Sequence, residues 1–290
     1  MKRYTIYIIV ILLAVYGVYV ITNKQEVPVG GVIVSHTGVS GSLRVNHSGV
    51  AGDWRANVSR TDIVTNGLVA HYTFDGKHLL QNVKDLSGFG NNAFSKNFIG
   101  TTTVIGKIGQ GLGGFNATQK DYEAPTSASL AIAGPNITLA TWVYFNADPT
   151  EETALINKWS ISAGARSYFI EGHYSSPFNR LLCGMSKDGG ASNWHLVRST
   201  SAVLLTGVWQ HVACSYNGTN WTLYYNGASV ATTNDIGSAQ SSIYTGGTQP
   251  LRLGGYDASV SNLNGALDDS RVYNRSLSAS EIFQLYQLGI

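Results

Sequence analysis

The chain has 290 residues, 12% of them charged and 43% hydrophobic, with a formal net charge of +2. Plentiful apolar and aromatic residues exclude a disordered chain, and the lack of a basic stripe excludes a nucleic-acid partner. Lys2, Arg3 and Lys24 carry the basic excess, so the body of the chain is close to neutral.

The first element is the uncharged run 4–22, rich in Ile, Val and Tyr. At 1.5 Å per residue a helix of this length just crosses a bilayer core of about 30 Å. Lys2 and Arg3 ahead of it favour a cytoplasmic N-terminus and an exported body. Residues 1–25 therefore read as an uncleaved signal-anchor, with the membrane contacted through 4–22. A cleaved signal peptide is the alternative, but the exit Val18-Tyr19-Val20-Ile21 lacks a small-x-small pattern. On the anchor reading the body lies outside the cell, and cleavage would make it secreted.

Residues 26–66 are punctuated by Pro28, Gly30, Gly31, Gly38, Gly41, Gly49 and Gly52 between short Val-rich runs. They read as a β stalk or a plain linker.

From Gly67 onward, short runs of β-branched and aromatic residues alternate with Gly, Asn, Asp and Ser clusters. The runs are 68–74, 137–145, 154–159, 168–171, 181–185, 194–199, 209–216, 221–225, 251–253 and 267–273. Regular short strands with turn signals define an all-β sandwich or barrel. Asn217-Gly218 and Asn226-Gly227 are strong turn dipeptides, and 209–216 with 221–225 reads as a hairpin. One helix is expected near the end, where Ser278 and Glu281 have capping-box spacing ahead of Ile282, Leu285 and Tyr286. On a period of two, Leu68, Ala70, Tyr72 and Phe74 share one face. Trp142 and Trp209 read as core, and His211 as structural.

Six stretches appear in a recognisable order: GLVAHYTFDG, DLSGFGNNA, GKIGQGLGGFNATQKDYEAP, NITLATWVYF, GVWQHVACSYNGTNWTLYYNG and GALDDSRVYNRSLSASEI. Together they make residues 67–290 resemble a laminin-G-like, concanavalin-A-like jelly roll of the prokaryotic surface-protein type. The resemblance implies a two-sheet antiparallel sandwich. It also implies a structural calcium at the Asp of the closing strand, which makes Asp268 the first candidate ligand and Asp75, Asp85 and Asn91 the next. Calcium takes six to eight oxygens, which one or two Asp and backbone carbonyls can supply. The alternative is that Asp268 accepts backbone hydrogen bonds and Asp85 closes a turn. Ser270 departs from the apolar residue that similar proteins carry. Cys183 and Cys214 are candidates for one disulfide in an exported protein, or are two small buried hydrophobes.

Glycanases of this superfamily carry a Glu-x-Asp-x-x-Glu cluster on one strand, which serves acid and nucleophile. No such cluster is present; Glu151 and Glu152 would face opposite ways on a strand, and Glu171 stands alone. The chain is therefore expected not to be an enzyme. The function expected is a cell-surface recognition or adhesion module taking glycan or protein ligands, with Trp194, Tyr174, His173 and Tyr256 as candidate contacts. The alternatives are a structural subunit of a surface appendage, envelope layer or virion coat, and a glycan-cleaving enzyme.

Overall fold

The computed structural model describes residues 10–14, 17–21, 64–79, 82–96, 102–116, 121–149, 152–160, 164–173, 179–190, 192–256 and 262–290. The chain divides into two units, 1–63 and 64–290. In the first unit, β1 (Val10–Ala14) and β2 (Gly17–Ile21) pair as an antiparallel hairpin. These parts of the expected membrane helix are thus extended, in keeping with their β-branched and aromatic residues. No helix among the described residues is long and apolar enough to cross a membrane. The remainder of 4–22, and residues 26–63 of the expected stalk, lie outside the described residues.

The second unit is a two-sheet sandwich. Its strands begin with β3 (Leu68–Tyr72), β4 (Phe94–Lys96), β5 (Thr102–Ile105), β6 (Gln110–Asn116), β7 (Asp121–Ala124) and β8 (Asn136–Phe145). They continue with β9 (Thr153–Trp159), β10 (Arg166–His173), β11 (Arg180–Ser186), β12 (Trp194–Ser199), β13 (Trp209–Asn217) and β14 (Trp221–Tyr225). The last are β15 (Ala228–Val230), β16 (Thr232–Gly237), β17 (Leu251–Leu253) and β18 (Asn264–Tyr273), followed by helix α1 (Ala279–Gln287). One sheet has the order β16-β12-β11-β10-β9-β17-β7-β4. The other runs β15-β14-β13-β8-β18-β6-β5, with β3 also paired to β18.

The main core lies between the sheets, where Tyr168, Ile170, Leu181, Cys183 and Met185 meet Leu139, Val143, Val212, Cys214 and Leu223. Strand alternation sends their neighbours to the outer faces. The expected hairpin is present as β13 and β14. Asn226 and Gly227, with φ of 49° and 80°, then turn the chain into β15. Two successive positive φ angles give a turn whose twist matches the flanking strands, which is why Asn-Gly sits there.

The helix forms as expected. The Ser278 side chain accepts from the Glu281 backbone, and the Glu281 side chain reaches back to Ser278. Ile282 and Leu285 are buried with Ala140, Ala213, Tyr224 and Tyr273 on the outer face of the β8-containing sheet. Trp142 is buried on that same side, its ring stacked 5.6 Å from Tyr286 and 5.4 Å from His211. Two details of the sequence reading shift. Leu68 packs under the helix, while Ala70, Tyr72 and Phe74 face the main core, because the β3–β18 register slips between Val272 and Tyr273. Trp209 is only half-buried, against Tyr144.

The two cysteine thiols stand as free, fully buried groups in the core between the sheets. Burial, and then the neighbouring Cys214, push the Cys183 thiol well up, so it stays protonated and inert.

Candidate functional site: the outer face of the β10 sheet

The sheet built around β10 turns a second face away from the core. On it Trp159, Phe169, Leu182 and Leu196 form a separate apolar cluster, with Trp194 and Tyr256 half-buried against them. Phe169, Glu171 and His173 alternate along β10 with the core residues Tyr168 and Ile170, so they share this outer face.

Three of the four sequence-nominated contacts therefore share this face, Trp194 beside the start of β10 and His173 at its end. Trp194 opens β12, its ring edge-on to Trp159 at 5.5 Å, with the Arg166 guanidinium 5.1 Å from its centroid. Its indole N–H donates to the Gly190 carbonyl. His173 ends β10 and is buried; desolvation lowers its pKa, so the ring is neutral at pH 7. Tyr256 follows β17 and lays its hydroxyl on the Glu171 carboxyl, to which it donates. Tyr174 lies outside the described residues.

The sequence treated Glu171 as a lone carboxylate. Its side chain is buried, and loss of water pushes its pKa up to about 8 against the opposing Tyr256 hydrogen bond. Glu152 and Asp235 lie within electrostatic reach and raise it further. No spacing in the sequence joins these three; strand pairing does.

Arg180 was also missed. It begins β11 directly opposite His173 and shares the outer face with Leu182. It is 8% exposed, its Nε is buried without a hydrogen bond, and it forms no hydrogen bond or ion pair among the described residues. The neighbouring Arg198 is paired to Asp235 at 2.7 Å.

Farther along the same face, Asn157 donates to the Gly255 carbonyl at 2.6 Å. Asp121 Oδ2, Asn157 Oδ1 and both amide atoms of Asn262 are buried without hydrogen bonds. Arg252 Nε lies 3.3 Å from Asp121 Oδ2 and 2.9 Å from Glu123.

The expected calcium residues separate into two places. Asp268 Oδ2 accepts from the Lys107 and Ile108 backbone N–H groups, both at 2.7 Å, while Oδ1 is buried without a hydrogen bond. Burial pushes this carboxyl up to about 8 despite those two bonds, and Asp269 and Asp75 add to the rise. Asp75 accepts from the Gln110 N–H at 2.8 Å. An orphaned carboxylate oxygen with a second carboxylate in reach fits a hard cation.

Asp85 and Asn91 do not belong to that place. Asp85 accepts from the His71, Ser87 and Asn91 backbone N–H groups and from the Ser87 hydroxyl. Asn91 donates to Val69 and Ser129 and accepts from Ser127. Their polar atoms are spent in closing a turn. Among the described residues, no three His, Cys, Asp or Glu side chains gather as a metal group.

Residues 116–283 match the profile of the Concanavalin A-like lectin/glucanases superfamily. The chain belongs to this family, and its two antiparallel sheets are that family's jelly roll. No curated protein sequence matches. Among solved structures it is similar to domain 4 of a GH43 extracellular arabinanase from Geobacillus stearothermophilus, solved with arabinotriose. That likeness has 21% identity, a TM-score of 0.57 and coverage of 76% of this chain and 98% of that one. It is also similar to the binding domain of Paraclostridial Mosquitocidal Protein 1, at 18% identity and TM-score 0.58, covering 77% of this chain and 52% of that one. A Trypanosoma rangeli sialidase matches at 15% identity and TM-score 0.52, over 76% of this chain and 32% of the sialidase.

Proposed function

We propose that the sandwich is a non-catalytic carbohydrate-recognition module, displayed outside the cell on a segment anchored through residues 4–22. The observation that carries this reading is one outer face that runs from Trp194 along the apolar cluster to Tyr256 on Glu171 and His173 at the far end of β10. Half-buried aromatic rings offer apolar faces to sugar rings, while carboxyl, amide and imidazole groups take their hydroxyls. The arabinotriose-bound domain among the similar structures supports a sugar ligand. A calcium held by Asp268 Oδ1, with Asp75 and backbone carbonyls, would brace the sheet end; its role is structural.

The test is titration of the full-length protein with a glycan panel. Saturable binding that weakens about tenfold or more in Trp194→Ala and Tyr256→Ala is expected. Failure of every glycan to bind would sink this reading. The weight would then pass to a protein ligand or to a structural subunit of a surface layer, the latter recognised by self-association in light scattering.

One observation favours a second reading, glycan cleavage. Glu171 keeps its proton near neutral pH, as a general acid must, with Glu152 and Asp235 supplied from elsewhere in the chain. Hydrolysis of any bound glycan, abolished by Glu171→Gln, would establish it. Binding without turnover is the outcome we expect.

A further inference from the structure

Among the described residues Arg180 has no hydrogen-bond or ion-pair partner, and its Nε is buried. We propose that it receives the carboxylate of an acidic sugar, making the outer face of the β10 sheet selective for anionic glycans. The inference rests on the carbohydrate-recognition reading and narrows its ligand class.

Arg180 is 8% exposed and stands on the outer face, yet no hydrogen bond or ion pair reaches it among the described residues. A cation withdrawn from water without an acceptor is costly, and natural proteins pair such groups. The adjoining groups do not discharge it. His173, directly opposite in the strand register, is neutral at pH 7 and offers no negative charge. Glu171 retains its proton near neutrality and is held by Tyr256. Asp235 is committed to Arg198 at 2.7 Å. Glu152 lies within electrostatic reach of His173 and Glu171 but forms no ion pair with Arg180 among the described residues.

The guanidinium fork suits a planar carboxylate, which it can grip through two parallel N–H bonds. A neutral hexose has no such group. Arg180 shares its face with Leu182, which pairs with Glu171, the acceptor of the Tyr256 hydroxyl, so a glycan can rest a ring on Tyr256 and turn its acidic unit to Arg180; Trp194 lies at the other end of β11, opposite Ser186, within reach only of a longer chain.

The experiment uses matched ligands and the full-length protein at two salt concentrations. The pairs are an oligogalacturonate with its carboxyl-reduced neutral counterpart, and sialyllactose with lactose. In at least one pair the acidic member should bind roughly tenfold tighter at low salt, and the preference should shrink as salt rises. Arg180→Gln should erase the preference while leaving neutral binding in place, and Arg180→Lys should keep part of it. Thermal unfolding of both variants checks that the fold is intact, and the salt dependence needs no variant at all. Equal binding of acidic and neutral members would overturn this inference and leave the recognition reading standing. No binding of any member, with none in the wider panel, would overturn both. A preference that survives in Arg180→Gln would place the carboxylate elsewhere and also overturn the inference.

Discussion

The Tyr256 hydroxyl donates to the buried carboxyl of Glu171 across the outer face of the sheet. Tyr256 follows Leu251–Leu253, while Glu171 lies within Arg166–His173, so one hydrogen bond ties the segment after β17 down onto β10. Lost hydration keeps the carboxyl protonated; alkali would ionise it, strengthening the Tyr256 bond while leaving a charge buried.

Stability is expected to fall as pH rises from about 6.5 to about 8. Glu171 and Asp268 both have folded pKa values raised to about 8. Such groups favour the fold below their unfolded pKa values and lose that contribution as pH climbs through the folded ones. His211, lowered to about 4 by burial, acts the opposite way: its unfolded form binds the proton first, so stability rises with pH from about 4 to 6.5. Above that window the two carboxyls dominate until Lys158, lowered to about 8 by burial, begins to act the opposite way. Each carboxyl contributes at most about 1.4 kcal/mol per pH unit. Thermal unfolding scans of wild type and Glu171→Gln check this. The variant should show a shallower slope, and an unchanged slope would mean Glu171 is ionised in the fold.

Calcium should raise the unfolding temperature, and by more at pH 8 than at pH 6, because the ion must displace the Asp268 proton. At a hundredfold excess over Kd the gain would be about 2.7 kcal/mol. Asp268→Asn keeps an oxygen for the Lys107 and Ile108 N–H groups and should remove the response. Identical melting curves in calcium and in chelator would leave Asp268 as a hydrogen-bond acceptor only.

Glu281→Ala should cost about 1 kcal/mol in urea unfolding at pH 7. The Arg275 guanidinium, 2.5 Å away, and the Ser278 backbone hold this carboxyl down at about 2. A lowered carboxyl pKa contributes stability above its unfolded value and loses it as pH falls through the folded one. The difference between wild type and variant should therefore shrink between about pH 4.5 and pH 2.

Gly265→Ala should be more damaging than its small volume implies. A Cβ there would lie 1.9 Å from the Tyr144 carbonyl oxygen, and backbone cannot rotate away. Loss of more than about 2 kcal/mol, read from the urea midpoint, is expected. A near-neutral result would mean that β18 and β8 part easily at this end.

Much of the sandwich was legible because its strands carry their own signature. All ten apolar runs became strands, from β3 to β18, and the hairpin turn and helix cap formed where Asn-Gly and Ser278 placed them. Other strands lacked that signature. Gln110–Asn116 reads QGLGGFN, and only the family resemblance of its motif, not its apolar pattern, marked it as a strand. Thr232–Gly237 is largely exposed and polar, an edge strand defined by its partner Trp194–Ser199.

The candidate site was half legible. Residue type nominated Trp194, His173 and Tyr256, because aromatic and imidazole groups in loop-adjacent stretches are common ligand contacts. Glu171 and Arg180 were out of reach, since their importance lies in what surrounds them. Burial gave one a proton and left the other without a partner among the described residues, and neither fact is written in spacing. Asp268 combined both cases: its identity followed from motif order, while its orphaned oxygen followed from a register shift beside Asp269, whose φ is 48°.

The position of β18 has a consequence for how the chain reaches this state. Asn264–Tyr273 lies between β8 on one side and β6 and β3 on the other, so it is central in space although late in the chain. Until it emerges from the ribosome, the sheet exists only as the four strands β15-β14-β13-β8, the β6–β5 pair and β3 by itself. Folding must therefore wait for nearly the whole domain to be synthesised. A chain that cannot close early keeps its strand edges open for most of its synthesis.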